Sequence, residues 1–449
     1  MLRSVFAFLK NPFHRGTEAM ENAGAHSSES FWQNTKKQFK KNRLAVFAMR
    51  FLFVLVIIAL LADLLANEKP LICKYKGSVY FPVFRSYLVD AGIANWQKDL
   101  QNVEWNKLDY EWSVFPPVPY LPKNQDENNS QSVSPFAHQN VPSARWRHWL
   151  GTDELGRDIL AAMIHGTRIA LLVGVVSMSI AAFIGILLGA LAGFFGDNRL
   201  KISRATAIFG SIFLLLGLFY AFGARSYLLR DALAESFFLF LYELLVSLAI
   251  FVFILMVGRL VGAPLKLIPF FAKKINVPVD IIVSRAIEVM LSIPTLFLII
   301  SISAIVEKPS IFIVMVIIGA TSWTGIARFI RAELLRVRNL EYIEAANALG
   351  YSQMRVLFRH AIPNALSPVL IAVAFGVASS ILIEATLSFL GVGVPAETLT
   401  WGALLSAARQ TPTAWWLAIF PGLAIFVTVT IFNLAGEGLT DALDPRLRK

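Results

Sequence analysis

The sequence predicts an all-α polytopic membrane protein of about eight spans, and three observations carry that expectation. Hydrophobic residues make up 56% of the 449 and charged residues only 16%, whereas about a quarter of a soluble chain is charged. Apolar stretches recur along the chain, and most reach the roughly 20 residues that cross the hydrocarbon core as helix. Lysine and arginine gather beside alternate connections between these stretches, the pattern that sets orientation in a bilayer.

Residues 1–43 are polar and mixed, without the short apolar core and small-residue site of a cleavable signal. The first apolar run, 44–66, is therefore expected to be an uncleaved anchor. Lys36, Lys37, Lys40, Lys41 and Arg43 precede it and predict a cytoplasmic N-terminus. Residues 67–165 then fall on the extracytoplasmic side. There Trp96, Trp105, Trp112 and the run Phe115-Pro-Pro-Val-Pro-Tyr-Leu-Pro122 predict a small folded or surface-held element with extended strands. Asn124-Gln-Asp-Glu-Asn-Asn-Ser-Gln-Ser132 reads as a flexible linker. Asp153, Glu154 and Asp158 would suit a carboxylate metal site, but Arg157 lies among them. A cap that pairs its charges locally fits these residues better.

Residues 166–449 form the predicted membrane domain, with spans at 168–196, 206–224, 236–262, 286–306, 311–330, 367–390 and 414–436. Gly185, Gly189, Gly193 and Gly196 make a small-residue stripe, expected to let another helix approach closely. Glu384 lies inside a span, where an unpaired charge is costly. It would line a pathway or bond a neighbouring helix, and the second reading is favoured. Asp280 and Glu288 sit near a cytoplasmic end, and Asp63 with Arg50 read as interfacial residues that snorkel. The inside loops carry Arg199, Lys201 and Arg204, then Arg259, Lys266, Lys273, Lys274 and Arg285, then Arg328 through Arg359; the tail ends Arg446-Leu-Arg448-Lys449. The short outside loops are poorer, with Glu307 and Lys308 in one and Arg409 in another, while the loop 225–235 sets Arg225 and Arg230 against Asp231 and Glu235 and votes weakly. Both termini are thus expected in the cytoplasm.

The segment 341–363 stands out as charged and helix-forming between two apolar spans. Adjacent Ala345 and Ala346 give a slim helix face that another protein can approach. Gly350 ends or bends the helix at low steric cost, and Pro363 keeps the next residues from continuing it.

Several function classes lack their residues. The sequence holds no phosphate-binding loop and no His-Glu-x-x-His. Cys73 is the only cysteine, which excludes an intrachain disulfide and a cysteine-rich metal site. Gly350-Tyr-Ser352 imitates a serine nucleophile, with only His360 nearby as a base, so no catalytic residue is assigned. The net charge of +11 reflects topology rather than nucleic-acid binding, because the basic residues flank apolar spans.

Glu344-Ala345-Ala346, Gly350 and Ile362-Pro363 resemble the EAA loop of bacterial ABC importer permeases. Further runs follow the family's order: Leu150-Gly-Thr-Asp-Glu-Leu-Gly-Arg-Asp158, His165-Gly-Thr-Arg168, Ser292-Ile-Pro294, Ser322-Trp323, Glu384-Ala-Thr-Leu-Ser-Phe-Leu-Gly391, Trp401-Gly402, Phe420-Pro-Gly422 and Asp441-Ala-Leu-Asp-Pro-Arg446. The chain is similar to the C-type subunit of oligopeptide, dipeptide and nickel importers. Asn67-Glu-Lys-Pro-Leu-Ile with Tyr80-Phe-Pro82 resembles the branch linked to microcin C and longer oligopeptides. Residues 198–279 depart from the pattern: an inserted hairpin of two apolar spans replaces the family's short loop.

The resemblance implies a type I permease core of six helices and an ATP-driven importer of peptides in the inner membrane. It implies a homologous second permease, two ABC ATPases and an extracytoplasmic peptide-binding protein as partners. ATP and magnesium would sit on the ATPases, and this chain would bind no cofactor or metal and perform no catalysis. Glu344, Ala345, Ala346, Gly350, Arg355 and Pro363 would couple to the ATPase, and Glu384 stays a possible pathway residue. The competing readings are an ion-gradient-driven secondary transporter, for which Glu384 is the main candidate residue, and an importer of nickel chelates or microcin-like peptides.

Overall fold

The computed structural model describes residues 31–90, 92–101, 103–305, 310–392, 395 and 398–443. The basic tail 444–449, Glu307 and Lys308 lie outside the described residues. Seven described helices are long and apolar enough to cross a membrane, or eight if one bent pair counts as a single span.

Helix α1 (Phe31–Lys41) leads into α2 (Arg43–Leu60). Asn42 joins them: its side-chain oxygen accepts from the Ala45 N–H at 3.1 Å and caps α2. Its amide nitrogen also donates to Asp441 at 3.0 Å. The start of α2 is thereby tied to the end of the last helix. A short turn, Ala62–Leu65, follows α2. Its Asp63 does not pair with Arg50. It accepts from Arg168 at 2.7 Å and from the Tyr87 hydroxyl at 2.6 Å, linking three segments that are distant in sequence.

The segment before the second span is a compact cap. Strands β1 (Ile72–Tyr75), β2 (Ser78–Tyr80) and β3 (Trp112–Val114) form an antiparallel sheet in the order β2-β1-β3, and α3 (Pro82–Asp90) follows β2. Phe115, Tyr120 and Trp146 meet edge to face beneath it. Asn124–Ser132 is not a flexible linker. Asn129 is buried, donates to Asp126 at 2.8 Å and to the Asn140 carbonyl at 3.0 Å, and accepts from the Asn140 N–H at 2.8 Å. Asn and Asp side chains satisfy turn backbone in this way, so a polar run folds without an apolar core. Gly156 (φ +76°) lets this loop in: a Cβ there would lie 2.1 Å from the Asp126 carbonyl oxygen.

Asp158 opens α4 (Ile159–Phe195) by accepting from the Ala161 N–H at 2.6 Å. The helix therefore begins nine residues before the predicted span at 168. Buried His148 bridges Asp158 (2.8 Å) and Asp126 (3.3 Å) beneath the ring of Tyr120. Burial alone would lower the His148 pKa; Asp158 and then Asp126 outweigh it and raise the pKa. Arg157 pairs with Asp153 at 2.6 Å, the local pairing expected of a cap.

Strands β4 (Lys201–Ser203) and β5 (Lys274–Asn276) form a two-stranded antiparallel ribbon. Between them rise α5 (Arg204–Leu218) and α6 (Phe237–Leu265), with a wide π turn at Phe219–Gly223. Near the tip of this hairpin Arg225 pairs with Glu243 and donates to Ser247 at 3.1 Å. The predicted span 286–306 is instead α7 (Val279–Ser292) and α8 (Thr295–Ile305), bent by 81°. Pro294 causes the bend, because it lacks a donor and holds Ile293 extended (φ −99°, ψ 124°).

Further along the chain come α9 (Ile311–Val337), α10 (Glu341–Ala348), α11 (Ser367–Phe389), α12 (Trp401–Gln410) and α13 (Trp416–Leu443), besides shorter turns of helix. The packing of α4 on α9 is the centre of the bundle. Gly185 meets Ile326, Gly189 meets Ala327 and Ile330, and Gly193 meets Arg331 and Leu334. The glycine stripe is thus a close helix crossing. Ser177 fastens it by donating to the Met315 carbonyl at 2.9 Å.

Candidate functional site

The segment 341–363 leaves the bundle at the end of α9 and returns at α11. Arg338 holds its start by donating to the Gly193 carbonyl at 3.1 Å, which binds the exit of α9 to α4. Helix α10 ends in a Schellman motif. The Tyr351 N–H reaches the Ala346 carbonyl at 3.2 Å and the Gly350 N–H reaches that of Asn347 at 3.0 Å. Gly350 sits at φ +79°, a conformation that favours glycine.

The two alanines diverge. Ala346 is buried with Ile343 against the chain's own core, while Ala345, Glu344 and Glu341 face outward. Successive helical residues point about 100° apart, so a single surface cannot use both. Of the Glu344-Ala345-Ala346 triplet, Glu344 and Ala345 belong to the free face and Ala346 does not.

Pro363 does not stop the chain's helical course. A π turn at Leu357–Ala361 precedes Ile362–Ala365, and Pro363 occupies the first turn of the new helix, where no donor is required. Arg355 lies over the Tyr351 ring at 5.7 Å, and Tyr351 stacks parallel to His360 at 6.2 Å. Gln353 donates to Asn347 at 3.0 Å, bracing the turn from its other side.

Around this frame Leu349, Met354 and Phe358 are 74%, 53% and 56% exposed, with Tyr342 and Tyr351 beside them. Such a group outside the spans marks an interaction surface. Charge and the alanine pair dominate the sequence here and hide these residues; their signal was apolar side chains in a connection that is otherwise polar.

Glu384 lies apart from this segment. It is 2% exposed in α11 and accepts from the Ser388 hydroxyl at 2.6 Å. Ser388 lines a cleft of about 340 Å³ with Arg157, Leu399, Ala403 and Gln410. The carboxyl is therefore packed behind the cleft wall. Among the described residues no group of three or more His, Cys, Asp or Glu is placed to hold a metal.

Comparison with known proteins agrees with this architecture. The profile described as "Binding-protein-dependent transport system inner membrane component" matches residues 267–449. The profile described as "N-terminal TM domain of oligopeptide transport permease C" matches residues 30–76. A relative in Brucella suis biovar 1 that carries the name peptide transport system permease protein is 35% identical over 209 residues, 46% of this chain and 69% of that one. The chain belongs to the C-type permeases of ABC peptide importers.

Other members align along more of their length. The inner membrane ABC transporter permease protein YejE of Escherichia coli K12 is 28% identical over 414 residues, 91% of this chain and 95% of that one. The oligopeptide transport system permease protein OppC of Bacillus subtilis is 28% identical over 303 residues, 67% and 73% of the two chains. This permease is a multi-pass inner-membrane protein, and residues 77–266, which include most of the cap and α5–α6, fall outside both matching profiles.

Proposed function

We propose that this permease forms one half of a peptide translocation pathway, coupled through residues 341–363 to separate ATPase subunits. The observation that carries the reading is the free face of α10: a rigidly capped helix, braced at both ends, with an uncovered apolar rim. A homologous second permease, two ATPases and an extracytoplasmic peptide-binding protein complete the importer. ATP and magnesium bind the ATPases and this chain supplies no catalytic residue. Lys36, Lys37, Lys40, Lys41 and Arg43 put the N-terminus in the cytoplasm by the positive-inside rule. The Asn42–Asp441 bond supports a C-terminal end on the same side. The cap then faces outward, toward the binding protein.

The mechanism is mechanical. ATP-driven closure of the ATPases displaces Ala345, Glu344, Arg355 and the Leu349–Met354–Phe358 rim. Gly350 and Pro363 keep the segment's shape during the stroke, and α9 and α11 carry the displacement into the membrane. Apolar fit contributes more than Glu344 or Arg355 at this contact, because exposed ion pairs contribute about 1 kcal/mol or less. Glu384 acts behind the pathway wall, holding Ser388 at the cleft.

The test is co-purification of the permease from its native membranes, followed by an ATPase assay with and without oligopeptides. Recovery of a second permease and ATPases, with hydrolysis stimulated by peptide, supports the reading. Recovery of the chain alone with no hydrolysis would point to a secondary transporter and sink it.

A further inference from the structure

The base of the α5–α6 hairpin gathers basic side chains that pair with no acidic one among the described residues. Lys201, Lys266 and Lys274 line a cavity of about 380 Å³ with Ser203 and Thr206. Arg259 and Lys266 border a groove of about 260 Å³ whose walls are Gly210, Gly258, Gly262 and Leu255. Thr206 and Lys266 belong to both, so the cavity and the groove are continuous. No acidic side chain lines either one. None of these four basic residues has an ion-pair partner among the described residues.

The place of this base in the bundle is fixed. The Ile281 N–H donates to Asp197 at 3.1 Å and Asn276 donates to Asn198 at 3.2 Å, which puts it at the same end of α4 as α10. The groove runs from there between two lipid-facing helices; only 11% of the apolar window of α6 is buried. A Cβ on Gly258 would meet Phe213 at 2.5 Å, so the helices close there, whereas a Cβ on Gly210 would meet nothing within 4 Å. Open space is therefore left beside Gly210.

The positive-inside rule explains the sign of these charges. It does not explain why three lysines converge on one cavity free of acids, with an apolar groove leading away from it. That shape is an amphiphile's: phosphate at the lysines and hydrocarbon on the glycines. Basic pockets between helix ends recognise anionic headgroups in this way. A soluble phosphate would fill the polar end alone.

We propose that the base of this hairpin is a binding site for an anionic phospholipid, with its phosphate among Lys201, Lys266 and Lys274 and an acyl chain along Gly210. The site stands independently of the transported cargo.

Native mass spectrometry of the delipidated full-length permease, titrated with phosphatidylglycerol, phosphatidylcholine and glycerol 3-phosphate, tests it. The wild type should hold phosphatidylglycerol well above phosphatidylcholine. Combining Lys201→Gln, Lys266→Gln and Lys274→Gln should weaken phosphatidylglycerol by about two orders of magnitude and leave phosphatidylcholine unchanged. Gly210→Leu fills open space, so the fold survives; it should weaken phosphatidylglycerol and spare glycerol 3-phosphate. Equal retention of the two lipids by the wild type would overturn the proposal, as would a triple variant that keeps the preference. Glycerol 3-phosphate bound as tightly as phosphatidylglycerol would make this a soluble-phosphate site instead.

Discussion

Gly189 of α4 rests so closely on Ala327 of α9 that a Cβ there would lie 2.4 Å from the Ala327 carbonyl oxygen. The obstacle is backbone, which cannot rotate aside. Gly189→Val should therefore separate the two helices and cost about 1–3 kcal/mol. The measurement is the thermal midpoint of the detergent-purified permease. Gly210→Val, which meets open space, is the control and should leave the midpoint unchanged.

At Gly350 the strain is conformational. A Cβ there meets nothing within 4 Å, but φ is +79°. Gly350→Asn should retain transport, since Asn tolerates the left-handed region. Gly350→Ala should weaken the end of α10 by about 1 kcal/mol. Gly350→Pro, with φ fixed near −65°, should abolish uptake while leaving membrane insertion intact. Peptide uptake in cells, read against the amount of permease in the membrane, separates the three. Normal uptake by the proline variant would rule out the role given to this turn.

Neighbouring alanines should fail in different ways. Ala345→Arg places a charge on the free face and should reduce ATPase co-purification by about tenfold or more, with an unchanged thermal midpoint. Ala346→Arg puts the charge into the core and should cost ~3 kcal/mol of stability. Equal effects at both positions would mean that α10 does not dock as described.

The cap should respond to pH through His148. Its folded pKa lies above the ordinary value of 6.5. Its contribution is thus complete below the unfolded pKa and is lost as pH rises through the folded one. Hydrogen exchange in Asn124–Asp158 should therefore speed up as pH climbs above about 6.5, beyond the intrinsic rate increase. His148→Asn should remove that excess. A flat profile in the wild type would contradict the pairing with Asp158 and Asp126.

The hairpin should be removable. Lys201 faces Asn276 across the ribbon, so residues 204–273 can be replaced by an Asn-Gly turn without stretching the chain. Accessibility of cysteines placed near the C-terminus should show the same sidedness in the deletion and in the parent. A reversed C-terminus would mean that α5 and α6 do not cross as a pair.

Long-range periodicity made most of the spans legible in the sequence. Apolar runs near 20 residues report a bilayer whatever their partners, and the glycine stripe announced a helix crossing. Other features depended on partners the sequence does not pair. The partner of Asp63 was not readable because Arg168 is remote in the chain. Asn124–Ser132 looked disordered because its order comes from Asn129 reaching Asp126 and Asn140. In segment 341–363 Gly350 was readable, since glycine after a helix has a local meaning. The inward turn of Ala346 was not, because it follows from how α10 lies on the bundle. The π turn before Pro363 escaped for the same reason.

The unbroken length of α4 joins the two faces of the membrane. Its 37 residues make a rod of about 55 Å, pinned at one end by Asp158 in the cap and at the other by Arg338 beside segment 341–363. No proline or π turn interrupts it between those two anchors. One continuous backbone therefore joins the two faces of the membrane here, whereas the chain beside Pro294 changes direction by 81° between them.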